Sequence, residues 1–219
     1  MDQPDLELVA QLSARTTDAR AEALGALIAR GMAAVPALRE ALQNPDARVR
    51  AYAAEALGRI GDTLVADTLF AALHDADGAV RAQAAGALAR LHDPRAYEAL
   101  ILTLGDLPDL LHGDMSLSAY ALIGMGAPVL PRLALLLKDP DPAMRGTVFR
   151  IIAQIISRLP DQQGRWPELW QSLGSYDPNA APTDRDRAAE ALGAWSTKRI
   201  EEPPGGITPH QAGAQPDHA

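Results

Sequence analysis

Two helical hydrophobic patterns alternate along this chain. In the clearest copy, Val49, Ala53, Ala56, Leu57 and Ile60 recur at the three-to-four-residue spacing that lines one face of a helix. Gly61-Asp62 ends that stretch, as Gly31 and Gly126 end their counterparts, because glycine readily takes the backbone turn that terminates a helix. Val65, Leu69, Ala72 and Leu73 then mark the apolar face of a second helix. Turn-forming clusters close the units at Asn44-Pro45-Asp46, Asp75-Ala76-Asp77-Gly78 and Asp139-Pro140-Asp141-Pro142. No alternation of β-branched residues suggests a strand.

The two-helix unit repeats. Val49-Arg50, Leu57, Leu69, Leu73 and Asp75 reappear 31 residues later as Val80-Arg81, Leu88, Leu100, Leu104 and Asp106. Upstream, Arg20, Leu27 and Gly31 precede Arg50, Leu57 and Gly61 by 30 residues. Further units begin near Met115 and at Met144-Arg145, and Arg185–Gly193 (RDRAAEALG) repeats Arg50–Gly58 (RAYAAEALG) almost letter for letter. One helix pair cannot bury its own apolar face, so neighbouring pairs must stack. The pattern predicts five pairs, a lone second-type helix over residues 4–14 and a lone first-type helix over residues 184–196 as end caps. Residues 1–199 are expected to form the repeat array. Residues 200–219 lack periodicity, are rich in Pro and Gly, and are expected to be a disordered tail.

Composition strengthens the all-α reading. Of 219 residues, 43 are alanine, the best helix former, and only 4% are aromatic. Cysteine is absent, which excludes disulfides, thiolate metal sites and cysteine nucleophiles. The formal net charge of −8, with Lys138 and Lys198 the only lysines, argues against a general nucleic-acid binder. No signal-like segment or long apolar run is evident, so the expectation is a cytoplasmic protein with no membrane partner.

The pattern D-x-x-V-R-x-x-A-A-x-A-L-G-x-I-G-D stands at Asp46–Asp62, with a looser copy at Asp77–Asp93. It resembles the HEAT-like repeat of the phycobilisome (PBS) lyase type, and the resemblance extends roughly over residues 17–196. It implies a right-handed α-α superhelix, a HEAT-like solenoid. For function it implies a choice, since similar repeats serve scaffolds, bilin lyases, a diiron hydroxylase and DNA glycosylases.

Candidate residues narrow that choice. Arg20, Arg50, Arg81, Arg145 and Arg185 recur with the repeat, beside Asp46, Asp77 and Asp141, and are expected to form a structural ladder to loop carbonyls or carboxylates. Met115 stands where the fourth arginine belongs, after an inserted segment, Leu107–Gly113. His74-Asp75, His92-Asp93, His112 and Asp114 lack metal-ligand spacing, and no His-Glu dipeptide of the diiron type occurs, so no metal or other cofactor is expected. No catalytic motif is evident. Trp166, Trp170 and Trp195 are expected to seal the last layer.

With Leu38, Leu42 and their equivalents in the core, the second helices should expose four columns. These begin at Pro36, Arg39, Glu40 and Gln43, and they include Asp67, Phe70, Ala71, His74, Glu98, Ile101, Leu102, Gly105, Ala134, Leu135 and Lys138. An apolar stripe of Phe70, Ile101, Leu102 and Leu135, flanked by Arg39 and Glu98, suggests a docking face. The expectation is a non-catalytic scaffold or adaptor that binds another protein there, on the concave inner-helix face. The alternative is a bilin lyase or chaperone-type subunit handling a tetrapyrrole, and less favoured is a diiron hydroxylase-like enzyme.

Overall fold

The structure, a computed structural model, describes residues 3–106, 115–162 and 165–201. The insertion, with His112 and Asp114, and residues 202–219 of the tail lie outside the described residues. The chain divides into two compact units, Met1–Ala121 and Leu122–Ala219.

Helices account for the described chain, and no strand is present among the described residues. First-type helices are α2 (Thr17–Arg30), α4 (Ala47–Ile60), α6 (Gly78–Arg90), α8 (Leu117–Met125), α10 (Pro142–Ser157) and α12 (Pro182–Glu201). Second-type helices are α1 (Gln3–Gln11), α3 (Val35–Ala41), α5 (Ala66–Ala72), α7 (Ala96–Leu102), α9 (Leu130–Leu136) and α11 (Trp166–Ser172). The all-α helical-repeat architecture expected from the sequence is therefore the one observed, and α12 continues two residues past position 199.

Each boundary has a local cause. Asp46, Asp77 and Asp141 cap α4, α6 and α10, accepting backbone N–H bonds from Arg48, Ala79 and Ala143 at 2.8–2.9 Å. Gly61 ends α4 in the left-handed conformation, φ 84°, where a side chain would be strained. Just before each cap stands a second short polar residue. Asn44, Asp75 and Asp139 use Oδ1 to accept the N–H of Asp46, Asp77 and Asp141, which fixes the turn between units.

In the first unit the core is a continuous layer of Leu27, Leu38, Leu57, Leu69, Leu88 and Leu100, all fully buried. The helical run Thr17–Ala41 is long and apolar enough by composition to cross a membrane, but Ala23, Leu24, Leu27 and Leu38 within it are spent on this core. Small residues let the first helices stack closely. A Cβ built on Gly58 would lie 2.6 Å from both Cα and Cβ of Ala87, so α4 and α6 touch through backbone. At the N-terminal end α1 packs on α2 and α3, and its buried Asp5 pairs with Arg30.

The second unit departs from the regular stack. The last helix forms where the sequence places it, but it packs on α9, the second helix of the fourth pair. Ala188, Ala189, Leu192 and Ser196 are buried, Gly193 lies against Ala134, and Lys138 pairs with Glu190 at 2.7 Å. The connection before α12 explains the departure. Gly174 (φ 92°) and Ser175 (φ 50°) reverse the chain, and the buried Tyr176 donates its hydroxyl to the Leu137 carbonyl at 2.7 Å.

Glycines test this packing account. Gly58→Ala should lower the melting temperature although alanine favours helix, because overpacking a close contact costs about 1–3 kcal/mol. Gly25→Ala, on exposed helix with open space around it, should raise stability by about 0.5–1 kcal/mol. Thermal melts of both variants decide the matter, and a stabilising Gly58→Ala would refute backbone contact there.

Candidate functional site

The arginine column has a repeating geometry in the first unit. Arg50 donates Nη1–H to the carbonyls of Asn44 and Pro45, at 2.9 and 3.2 Å, in the loop before its own helix. Its Nε and Nη2 donate to the two carboxylate oxygens of Asp75, 25 residues on, both at 2.7 Å. Arg81 does the same with Asp75 and Ala76 carbonyls on one side and Asp106 on the other. Arg20 bonds the Ala14 and Arg15 carbonyls, but meets the Tyr52 hydroxyl in place of a carboxylate. In the second unit Arg145 bonds the Asp139 and Pro140 carbonyls and turns Nε and Nη2 to the Pro178 carbonyl. Among the described residues Arg185 makes neither set of bonds, and its Nε is buried without an acceptor.

Two expectations are corrected here. The carboxylates that hold the arginines are Asp75 and Asp106, whereas Asp46, Asp77 and Asp141 are occupied as helix caps. Arg185 is no rung of the ladder, because α12 has left the stack.

On the solvent-exposed sides of the second helices, the first unit follows the predicted pattern closely. Pro36, Arg39, Glu40 and Gln43 on and beside α3 are exposed, as are Asp67, Phe70, Ala71 and His74 around α5. Around α7, Glu98, Leu102 and Gly105 are exposed, with Leu102 at 76%, while Ile101 is half-buried. In the second unit Leu135 is 70% exposed. Ala134, expected on the surface, is only 1% exposed because α12 covers it.

Phe70, at 37% exposure, is not a bare apolar residue. The Arg95 guanidinium lies 4.6 Å from its ring centroid, and His74 meets the ring edge-on at 6.5 Å. Arg95 is itself clamped. Asp93 accepts from Nε and Nη2 at 2.9 and 2.8 Å, and Asp67 accepts from Nη1 at 2.9 Å. Arg95 thereby holds the Asp93 carboxyl below the usual carboxylate range. Sequence reasoning passed over this clamp. The short D-P-R stretch, Asp93-Pro94-Arg95, at the turn into a second helix was the available signal. Beside it, an open cleft of about 460 Å³ between α3 and α5 is lined by Gln43, Thr68, Ala71 and His74, with Arg50 and Asp75 in its wall.

Trp170 and Trp195 have separate aromatic and cationic neighbours among the described residues. Trp170 packs on Phe149 and Tyr176, with ring centroids 4.7 and 6.1 Å away. Trp195 carries the Arg199 guanidinium over its ring, and Arg199 also pairs with Asp161. The side chain of Trp166 lies outside the described residues. No group of three or more His, Asp or Glu side chains suited to a metal occurs among the described residues.

This repeated geometry matches known families. Residues 6–77 match HEAT repeats, and residues 80–106 match the PBS lyase HEAT-like repeat. Residues 6–106 are thus built of HEAT-like repeats, the last of them of the PBS lyase type. Comparison with curated proteins finds no match. Among solved structures, these HEAT-like repeats are similar to the complex of CpcE and CpcF of phycocyanin lyase from Nostoc sp. PCC7120. The identity there is 23%, over 85% of this chain and 96% of that chain, with a TM-score of 0.40. An engineered protein is 19% identical over 90% of this chain and 98% of its own, with a TM-score of 0.43. A designed armadillo repeat protein in complex with the peptide (KR)4 is 18% identical over 85% and 98%, with a TM-score of 0.42.

The HEAT-like ladder carries two measurable consequences. Arg50→Ala and Arg81→Ala should each destabilise the fold by about 1–3 kcal/mol, the range for stranding a partner of a charged hydrogen bond. Denaturant unfolding measures this, and unchanged midpoints would remove the ladder's structural role. Acid should act on the same chemistry. Arg50 holds the Asp75 carboxyl below its ordinary value, and Arg199 holds Asp161 at about 2. Because the folded values lie below the unfolded ones, this stabilisation is complete above the ordinary carboxylate range and is lost as pH falls from there towards 2. The melting temperature should therefore fall over that interval, and Arg199→Gln should weaken the dependence.

Proposed function

We propose that this repeat scaffold is a non-catalytic adaptor, working in the cytoplasm, that binds a partner protein on the exposed face of its second helices. The observation that carries this reading is the solvent-exposed apolar surface of the first unit. Leu102 stands almost free on α7, and Phe70 on the neighbouring α5 presents a ring held in place by Arg95. A rigid aromatic group and an exposed leucine, flanked by Arg39, Asp67 and Glu98, are the ingredients of an apolar anchor with a polar rim. Leu135 offers a similar exposed side chain on α9 of the second unit.

A second reading is supported by the match of residues 80–106 to the PBS lyase HEAT-like repeat. Under it the protein is a bilin lyase or chaperone-type subunit and takes a tetrapyrrole. Mixing the protein with bilin separates the readings, since a change in visible absorbance or covalent attachment favours the second.

The adaptor reading is tested by Phe70→Glu combined with Leu102→Glu. Exposed substitutions shift stability by about 0.5 kcal/mol or less, so the melt should stay near that of the wild type. Capture of the partner should be lost, while Leu64→Glu, a strongly exposed position on the turn into α5, should leave it intact. An intact melt with unchanged capture would overturn the adaptor reading.

A further inference from the structure

In the first unit the columns that begin at Arg39 and Gln43 face solvent, and Phe70 and His74 continue them one repeat later. Their counterparts in the second unit, Ala134 and Lys138, are both engaged by α12. Ala134 is 1% exposed, and a Cβ built on Gly193 would lie 3.7 Å from its Cβ. Lys138 donates Nζ–H to Glu190 at 2.7 Å, one turn before that glycine. Ala188, Ala189, Leu192 and Ser196 complete the buried seam of α12. The seat on α9 therefore makes two demands of a helix: a seam small enough for Ala134, and an acid placed for Lys138.

This cover is lightly fastened. Its buried seam contains no side chain larger than that of Leu192, so it takes little apolar area out of water. The Lys138–Glu190 pair lies at the rim, with the Glu190 side chain 71% exposed, where ion pairs hold weakly. Arg199 ties the far end to Asp161 and stacks on Trp195. At the near end the Tyr176 hydroxyl, bonded to the Leu137 carbonyl, holds the connection that leads into the helix. The seat also leaves one donor unsatisfied, the buried Nε of Arg185, which opening would return to water.

We propose that α12 is a displaceable cover and that the face of α9 beneath it is a docking site for a helix of a second molecule. The partner helix carries the same small-residue seam and an acid three residues before its glycine. In the closed protein α12 fills the site, and the partner helix competes with it. The site lies wholly in the second unit and is separate from Phe70 and Leu102, so it does not depend on the adaptor reading of the first unit.

A disulfide lock tests this in the full-length protein, which has no cysteine of its own. The 3.7 Å separation at Ala134 and Gly193 falls within the range of about 3.5–4.5 Å between the Cβ atoms of disulfides. Ala134→Cys with Gly193→Cys should therefore close on oxidation. The probe is a fluorescein-labelled peptide of the α12 sequence, Pro182–Glu201, read by anisotropy. The wild-type and the reduced double variant should bind it saturably, and oxidation of the variant should abolish binding. A peptide with Gly193→Leu should not bind, because leucine cannot seat against Ala134. Tyr176→Phe, which frees the connection before α12, should tighten binding of the unmodified peptide. Hydrogen exchange provides a second readout. Amides of α12 should exchange faster than those of α10, and oxidation of the double variant should slow α12 selectively. The proposal is refuted by an absence of saturable binding to the wild type, by binding that survives oxidation, or by α12 amides that exchange no faster than those of α10.

Discussion

The bond on which this structure most depends is the fork of an arginine guanidinium between two successive loops. The second helices are only seven residues long in the regular pairs, and the loops that follow them carry carbonyls with no helical partner. Arg50 and Arg81 bond the loop carbonyls just beyond, Asn44 and Pro45 or Asp75 and Ala76, with one nitrogen and grip the next loop's carboxylate with the other two. Each loop is therefore held from both sides, by the arginine of its own helix and by that of the preceding one. The Asx turn at Asn44, Asp75 and Asp139 presents the loop in the shape this grip requires, and the Asp caps start the following helix. Register between helix pairs of the first unit is thus set by charge-assisted bonds of directional geometry, which an apolar core of interchangeable leucines and alanines could not specify alone.

With the loops fixed, side-chain size decides how the two kinds of helix pack. First helices carry alanine and glycine where they meet, and α4 and α6 approach to backbone contact at Gly58. Second helices carry larger outward groups, and an open cleft remains between α3 and α5. That difference leaves surface available on one kind of helix and consumes it on the other. Within the available surface Arg95 acts as a fixed strut, clamped by two carboxylates and laid across Phe70, so the ring has little freedom to lose on binding.

The second unit reuses the same sequence for a different contact. The helix containing RDRAAEALG offers the small-residue face that α4 uses for stacking, but the Tyr176 anchor and the Arg145–Pro178 bonds direct the chain towards α9. The small face then lies on Ala134, a residue whose counterparts Arg39 and Phe70 are far too large for such an approach. One consequence is that Arg185 loses both sets of bonds that its position in the motif otherwise guarantees.

The sequence by itself determined the helices, their ends, the repeat and most of the exposed columns, because each depends on neighbours within one or two turns. Apolar spacing dictates which face of α3 or α5 is buried wherever the stack continues, and Asp and Gly at fixed places stop and start helices locally. Tertiary structure decided what spans longer distances. Whether Arg50 takes Asp75 or Asp77 depends on which carboxylate is free once the cap has taken the other. Arg95 reaches Phe70 only when α5 and α7 are side by side. The site of α12 was not legible either, since a small-residue face fits any helix that is equally small, and only the turn at Gly174–Tyr176 selects α9.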